Sequence, residues 1–239
     1  MSTFVCSDLH GAKPIYDRIT RFTKPSDVVY FLGDANDRGE HGLWLIKEIL
    51  NNPQWVYICG NHEDMLRNAA IDYIFSSSYV SNRRKLLFQN GGEKTFSDWV
   101  KTKDEQLIEQ IEALPKYKKY TNTQGQHIIL THAGCTPVIE NDTVHLAPYF
   151  DLLWDRDHIY DDPTMIPENY VVVHGHTPIS SIKYVLRKEE HIPKKDVTKM
   201  DSMFWYAQHK KLGIDLGTYV TGKACLVNLD TWEEHIFEI

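Results

Sequence analysis

Acidic, amide and imidazole side chains recur directly after short apolar runs in this chain. Asp8 follows the run at 3–7, and Asp34 follows the run at 28–32. Carboxylate oxygens, amide oxygens and imidazole nitrogens suit Mn²⁺, Fe or Zn²⁺ better than an ion that prefers thiolates. The pattern therefore predicts a metal site with hydrolytic chemistry. The candidate ligands are Asp8, His10, Asp34, Asn61, His132 and His176.

Each candidate also has an ordinary structural explanation when it is taken alone. Asp8 could cap a helix and Asp34 could be a turn residue. A lone Asp-x-His pair is a weak motif. What favours a shared site is repetition, because five successive runs each end in Asp, Asn or His. Independent caps and turns would not require a metal-capable residue at every run end.

The runs alternate with helical patterns in the first third of the chain. Helical stretches at 13–23, 42–50 and 62–74 separate apolar runs that are typical of buried strands. This alternation predicts a parallel sheet with βαβ crossovers. The polar run ends then fall at the carboxyl ends of the strands, where open α/β sheets place their ligands.

The rest of the chain has a different pattern. Residues 76–114 are polar and mostly helical, which predicts a helical insertion beside the site. Strand patterns return at 126–130 and 170–173. We expect an α/β fold in which two mixed β-sheets form a sandwich flanked by helices. We expect this two-sheet mixed β-sandwich to be a single domain over 1–239. Alternation in the tail predicts that a second, more antiparallel sheet includes 182–186, 212–216, 224–229 and 235–237.

Composition and charge narrow the function classes. The chain is 42% hydrophobic and 25% charged, which is ordinary for a globular protein. Its formal net charge of −7 argues against binding to a nucleic-acid polymer through bulk charge. A local metal cluster could still attract an anionic substrate, because bound cations reverse the sign of the local field.

Compartment signals point to the cytoplasm. We see no secretory signal and no apolar stretch of membrane-spanning length, so no membrane partner is expected. The four cysteines lie far apart without a C-x-x-C spacing. We interpret them as free buried thiols in a reducing compartment.

Five motifs together resemble a known group of enzymes. They are Asp8-Leu9-His10-Gly11, Gly33-Asp34 with Asp37-Arg38-Gly39, Gly60-Asn61-His62-Glu63, His132-Ala133-Gly134 and Gly175-His176-Thr177. The set resembles the calcineurin-like metallophosphoesterase superfamily. Within it, the set is similar to the serine/threonine phosphoprotein phosphatase family, especially its bacterial and bacteriophage members. The resemblance implies a four-layer αββα fold.

The resemblance also implies roles. Asp8 and His10 would hold one metal, Asp34 would bridge, and the other three candidate ligands would hold the second metal. The two divalent ions, with Mn²⁺ favoured and Fe or Zn as options, would share a hydroxide that attacks phosphate. His62 would be the general acid. Three further catalytic residues are implied, namely Asp37, which orients His62, and Arg38 and Arg156, which bind phosphate.

Some positions depart from the family pattern or leave alternatives open. Asn36 replaces the usual apolar or aromatic residue, and His174 is interpreted as support for a ligand rather than a ligand. Segment 180–211 is either a flap over the substrate or an exposed hairpin, and the hairpin is favoured. The expected substrate is a phosphorylated protein or peptide, or a small phosphoester. A dinucleoside tetraphosphatase is the alternative, which Glu63 disfavours, and a non-catalytic metal-binding scaffold ranks lowest.

Overall fold

The computed structural model describes residues 1–75, 81–140, 143–148 and 151–239. Within these ranges, two five-stranded sheets form the centre of the protein. Strands and helices are numbered in chain order. The first sheet has the spatial order β12 (Glu234–Glu238), β11 (Lys223–Asn228), β1 (Thr3–Cys6), β2 (Val28–Phe31) and β3 (Trp55–Tyr57). The second has the order β4 (Tyr117–Thr121), β5 (His127–Thr131), β8 (Tyr170–His174), β10 (Lys211–Gly213) and β9 (Phe204–Tyr206).

Each sheet has a parallel core with antiparallel additions. Strands β1, β2 and β3 are parallel, and so are β5, β8 and β10. Strands β11 and β12 pair antiparallel in the first sheet, whereas β4 and β9 do so at the edges of the second. A separate hairpin joins β6 (Val138–Glu140) to β7 (Thr143–His145). The parallel strands place their carboxyl ends on one rim of each sheet.

Side-chain alternation explains how the two sheets face each other. Val5 packs with Leu130 and Val173 in the core between the sheets, whereas its neighbours Phe4 and Cys6 pack into the core on the outer face of the first sheet. This follows from the period of two in a strand. The predicted two-sheet α/β sandwich with flanking helices is confirmed.

Helices cover the outer faces. Ile15, Leu45 and Trp99 are fully buried helix residues that pack against the first sheet. No helix in the described part of the chain is long and apolar enough to cross a membrane. The helices are α1 (Lys13–Phe22), α2 (Gly42–Asn51), α3 (Asn61–Phe75), α4 (Asn82–Gln89), α5 (Glu93–Thr102), α6 (Glu105–Glu112), α7 (Asp151–Trp154), α8 (Ile179–Val185) and α9 (Thr218–Thr221).

The predicted helical insertion at 76–114 contains α4, α5 and α6. Its first residues, 76–80, lie outside the described residues. The turn between α4 and α5 lies against the loop that contains Arg38, because the Arg38 N–H donates to the Gly91 carbonyl at 2.9 Å. The insertion therefore borders the loop that contains Arg38. That the chain forms a single domain stays a prediction.

The predicted arrangement of the tail is wrong in two respects. Residues 182–186 belong to the helical segment of α8 and its cap rather than to a strand, because Ile179, Ile182 and Leu186 share one buried helical face at spacings of three and four. The remaining tail strands do not form one sheet. Strand β10 joins the second sheet parallel to β8, whereas β11 and β12 extend the first.

Segment 180–211 is only partly the predicted hairpin. Strand β9 pairs antiparallel with β10, and Tyr206 is buried while Phe204 and Trp205 are half-buried. The earlier part of the segment contains α8 and a short 3-10 turn, Lys194–Asp196, instead of a strand.

Candidate metal centre

The carboxyl ends of the parallel strands bring the predicted ligands together. Asp8 follows β1, Asp34 follows β2, and Asn61 begins α3 shortly after β3. From the second sheet, His132 follows β5 and His176 follows β8. All six predicted ligands are buried, with His10 completing the set.

Asp34 lies at the centre of the arrangement. Its Oδ2 is 3.8 Å from His10 Nε2 and also 3.8 Å from His62 Nε2, and its Oδ1 is 3.3 Å from His132 Nε2. Two groups able to hold a metal ion share this carboxylate among the described residues. One is His10, Asp34 and His62, and the other is Asp34, His132 and His176.

Asn61 and Asp8 join the two sheets at the site. Asn61 Oδ1 lies 2.8 Å from His132 Nε2 and 3.0 Å from His176 Nδ1. The main-chain N–H of His176 donates to both carboxylate oxygens of Asp8, at 3.0 and 3.2 Å. The buried His176 Nε2 has no hydrogen-bond partner among the described residues. Such an orphaned atom within a set of oxygen and nitrogen donors fits a cation site.

The pKa shifts of the predicted ligands disfavour charge on both the carboxyls and the imidazoles, because all of them are buried. Burial raises the pKa of Asp8 well above its usual range, and the nearby Asp215 carboxyl raises it further. Burial also raises the pKa of Asp34, with Asp8 as the next cause. The imidazoles shift in the opposite direction. Burial lowers the pKa of His132 to about 3 and that of His176 well below its usual value.

These shifts match what a divalent cation needs. Imidazole binds a metal in its neutral form, and a cation among clustered carboxyls replaces the protons they would otherwise keep. The donor set therefore fits two divalent ions that share Asp34. Carboxylate, amide and imidazole donors do not identify the metal.

A second group of side chains lies beside the donors. His62 Nδ1 is 2.7 Å from Asp37 Oδ2, and both residues are buried. The Arg38 guanidinium donates to His10 Nε2 at 2.9 Å and to His62 Nε2 at 3.1 Å. Arg156 is exposed, and its charge contributes, after burial and a neighbouring imidazole, to the lowered pKa of His176. Arg38 and Arg156 thus flank the donors.

Sequence reasoning did not assign three residues that the structure places at this site. The Glu63 carboxylate accepts the main-chain N–H groups of Asp34, Ala35 and Gly60, at 2.9, 2.7 and 2.8 Å, and the Tyr57 hydroxyl at 2.8 Å. It therefore holds the loops that follow β2 and β3 together. Its only sequence signal was its place in the fourth position of a motif.

Asn36 and Asp215 are the other two. Asn36 Nδ2 donates to Asp37 Oδ1 at 2.9 Å and to the His62 carbonyl at 3.1 Å, so the departure from the family pattern supplies an orienting amide. Asp215 is buried next to Asp8 and follows β10. A carboxylate directly after an apolar run was the signal that identified Asp8, and it would have identified Asp215 as well.

Backbone conformation marks the same loops. Asp8, His10, Asp34, Asp37, Arg38 and His176 all have positive φ angles between 43° and 67°. Residues other than glycine rarely adopt this left-handed conformation, and each instance stores about 1–3 kcal/mol of strain. Such strain persists only where the surrounding bonds enforce it. The Glu63 carboxylate is one such restraint, because it holds the Asp34 N–H.

His174 lies outside the donor groups. Its Nε2 is 2.7 Å from the Tyr206 hydroxyl, and its Nδ1 is 3.0 Å from the Gly175 carbonyl. The ring also contacts His158 edge-on, with centroids 4.9 Å apart. This geometry is consistent with support for the His176 loop rather than with a ligand.

Comparisons with known proteins agree with this geometry. The model of the calcineurin-like phosphoesterase family matches residues 1–216, and the chain belongs to that family. It is 26% identical over 169 residues to serine/threonine-protein phosphatase 2 of Salmonella typhimurium, covering 65% of this chain and 68% of the relative. The predicted calcineurin-like superfamily is confirmed. The family acts on phosphoester substrates with divalent metals, so the chain is a phosphoesterase.

Solved structures share the fold at low identity. A candidate diadenosine tetraphosphatase superposes with a TM-score of 0.61 at 13% identity, covering 99% of this chain and 92% of that one. A metallophosphoesterase from Sphaerobacter thermophilus gives 0.57 at 11% identity, with coverage of 100% and 88%. A serine/threonine phosphatase from Saccharomyces cerevisiae, similar to human phosphatase PP5, gives 0.54 at 16% identity, with coverage of 100% and 80%. At these identities the likeness shows the fold alone.

Proposed function

We propose that this protein is a metal-dependent phosphomonoesterase that removes phosphate from phosphoserine or phosphothreonine in proteins. The observation that carries the proposal is the pair of donor groups that share Asp34. One of them includes His62, which we assign to proton transfer rather than to metal binding because its Nδ1 is paired with Asp37. When bound, two divalent ions, for which we propose Mn²⁺, supply Lewis acidity toward a phosphate and an activated water. The ligands would be Asp8, His10, Asp34, Asn61, His132 and His176.

Protonation of the leaving group is the task we assign to His62. A serine or threonine alkoxide is a poor leaving group unless it receives a proton. Asp37 accepts the Nδ1–H of His62 at 2.7 Å, so the proton given to the leaving group would be a second one, carried on Nε2 after phosphate displaces Arg38 from that nitrogen. Burial lowers the pKa of His62, and a bound phosphate dianion would raise it again, because the doubly protonated imidazolium then lies next to negative charge. Asp37 fixes the ring so that Nε2 faces the centre.

Arg38 and Arg156 are the proposed phosphate ligands. A guanidinium presents two parallel N–H groups that match two phosphate oxygens, and it stays charged at every relevant pH. Arg38 already points at the donors through His10 and His62. Binding of phosphate would replace these two contacts with shorter, charge-assisted ones.

A cleft beside Arg38 bears on the choice of substrate. It has a volume of about 660 Å³, and Tyr219, which is 61% exposed, forms part of its wall. Apart from Arg38, the charged side chains that line it among the described residues are Glu93 and Lys94, whose charges cancel. Lys94 is in addition paired with Asp98.

A second cleft, of about 460 Å³, has the same balance of positive and negative charge. Trp154, whose ring contacts His176, lines it together with the oppositely charged Asp64 and Arg83. Neither cleft supplies the excess of positive charge that a chain of four phosphates would need. This favours a monoester with uncharged surroundings over a dinucleoside tetraphosphate. The similarity to a serine/threonine phosphatase supports the same choice.

The test compares three substrates with the Mn²⁺-loaded protein. We expect turnover of a phosphoserine peptide and of nitrophenyl phosphate, and little turnover of a dinucleoside tetraphosphate. Faster hydrolysis of the tetraphosphate than of the peptide would replace the proposal with a nucleotide hydrolase. Binding of Mn²⁺ without turnover of any of the three would identify a non-catalytic scaffold.

We also propose a cytoplasmic location. Cys6, Cys59, Cys135 and Cys225 are all buried and free. Unpaired thiols are typical of proteins in reducing compartments. Fractionation of the native host with a cytoplasmic marker enzyme tests this location.

A further inference from the structure

Lys211, the first residue of β10, has a side chain that is hard to explain by stability. The residue is 0% exposed. Its ammonium donates to the Thr136 hydroxyl at 2.8 Å and to the His158 carbonyl, neither of which carries a charge. Burial lowers the pKa of Lys211 to about 8. The charges of Asp161 and Asp155 act on the ammonium, but neither forms an ion pair with it among the described residues. A buried charge that lacks such a direct pair is expensive, and an apolar side chain of similar volume is often no less stable there.

The two acceptors of Lys211 belong to two loops of the site. Thr136 lies four residues after the proposed ligand His132, and His158 lies two residues after the proposed phosphate ligand Arg156. The ammonium therefore forms hydrogen bonds with both the His132 loop and the Arg156 loop. Since the bonds span 75 and 53 residues, local chain connectivity does not impose this contact.

The Arg156 loop is otherwise a tight turn. Asp155 accepts the N–H groups of Asp157 at 2.8 Å and of His158 at 3.2 Å, which closes the turn around Arg156. The His158 ring lies against Gly134, where an added Cβ would come within 2.4 Å of the ring. The turn is thus rigid within itself, and Lys211 and this ring contact fix it relative to the rest of the site.

We infer that Lys211 is a positioning residue, whose buried ammonium holds the Arg156 turn against the His132 loop so that the exposed guanidinium reaches the substrate phosphate. The inference rests on the proposed function, because it takes Arg156 to be a phosphate ligand. It assigns no contact between Lys211 and the substrate. The expected signature is weaker binding of oxyanions with an unchanged metal content.

The central variant is Lys211→Met, which keeps the length of the side chain and removes the ammonium. With Mn²⁺-loaded protein, we expect KM for nitrophenyl phosphate and Kd for tungstate to rise about tenfold to a hundredfold, as displacement of a binding group by about 1 Å can do. We expect kcat to change less than threefold. Arg156→Gln should weaken tungstate binding in the same direction.

The double variant tests whether Lys211 acts through Arg156. If it does, Lys211→Met adds no further loss of tungstate affinity to Arg156→Gln, since the two changes remove one interaction. Full additivity of the two losses would overturn the inference.

Lys210→Met is a matched control on the neighbouring residue. Lys210 also donates to main-chain carbonyls, those of Pro163 and Ile166 at 3.2 and 2.7 Å, but these lie beyond the Arg156 turn. We expect its KM and tungstate affinity to match the wild type. If Lys211→Met does not fold, Thr136→Val removes one acceptor and should raise Kd for tungstate by a smaller factor.

Calorimetry with tungstate separates this inference from the proposed function. Absence of phosphoester turnover in the wild type would end the proposed function, whereas tungstate affinities would still rank the variants. Wild-type tungstate affinity in Lys211→Met, together with weakened binding in Arg156→Gln, would overturn the role of Lys211 and leave the proposed function intact. A loss of bound Mn²⁺ in Lys211→Met would also overturn it, because the effect would then lie on the metal ligands.

Discussion

The two sheets contribute halves of the site that are held in place by different means. The first-sheet half comes from residues 8–62, and a single carboxylate, Glu63, ties its loops through three main-chain N–H groups. The second-sheet half includes His132, Arg156, His176 and Asp215. Side chains from distant parts of the chain, such as Lys211, contact the loops of this half.

The difference suggests a division of labour. The first-sheet half contains His62, Asp37 and Arg38, so the proposed proton transfer takes place where the backbone is most tightly restrained. The second-sheet half supplies further metal donors and a second guanidinium. Restraint of the main chain by Glu63 accordingly accompanies the proposed proton transfer, whereas each half supplies one guanidinium for binding.

Removal of metal should break both halves at once and have the largest effect. Asp34 belongs to both donor groups, so the ions cannot be lost from one half without altering the other. We expect EDTA to abolish hydrolysis of nitrophenyl phosphate and added Mn²⁺ to restore it. Full activity in protein shown by elemental analysis to be metal-free would contradict the two-metal site.

His62→Asn tests the first-sheet half alone. We expect turnover of alkyl phosphates to fall by roughly 10²–10⁴, the usual contribution of a general acid. Nitrophenyl phosphate should lose less, because its leaving group needs no proton. Steady-state kinetics on both substrates, with bound Mn²⁺ measured in parallel, checks this. Equal losses on the two substrates would count against the acid role.

Glu63→Gln sharpens the comparison, because it alters a support rather than a ligand. An amide keeps one acceptor oxygen but places N–H groups against main-chain donors, so the loops after β2 and β3 should loosen. We expect Mn²⁺ affinity to fall about tenfold to a hundredfold, as for other residues that support metal ligands.

Tyr206→Phe is the matched change in the second-sheet half. It removes only the hydroxyl that contacts His174. Mn²⁺ titration of both variants should show a smaller loss here than in Glu63→Gln. A larger loss in Tyr206→Phe would reverse the proposed order of restraint.

A change of pH should have the smallest effect, because it is measured on the stability of the metal-free protein and not on the activity of the metal-loaded protein. Burial raises the pKa of Asp37 to about 7 and that of Asp215 to about 6. These two carboxyls bind more protons in the folded, metal-free protein than in the unfolded chain, so their contribution to the free energy of unfolding falls as pH rises from about 4 to 7. The buried histidines contribute the opposite slope, because burial lowers the pKa of His132 to about 3 and that of His174 to about 4. Denaturant unfolding at several pH values measures this. The same measurement on Asp215→Asn isolates one carboxyl, and a pH slope equal to that of the wild type would contradict the raised pKa of Asp215 in the folded protein.

The sequence predicted the residues at strand ends better than the contacts that support them. Asp8, Asp34 and Asn61 each follow an apolar run closely, so their position at strand ends could be inferred from order alone. The contacts of Lys211 could not, because they depend on where β10 lies beside β8. The helix α8 was mistaken for a strand, since a short apolar segment such as 182–186 fits either period.

The left-handed backbone at Asp8, His10, Asp34, Asp37, Arg38 and His176 has a consequence for protein engineering. Glycine tolerates that conformation at no steric penalty, so glycine at these positions would relieve strain while it removes the functional side chain. A library of this chain selected for thermal stability alone would thus accumulate glycine where the chemistry resides. Selection therefore needs an activity measurement from the first round, because the more stable variant at these positions is not the active one.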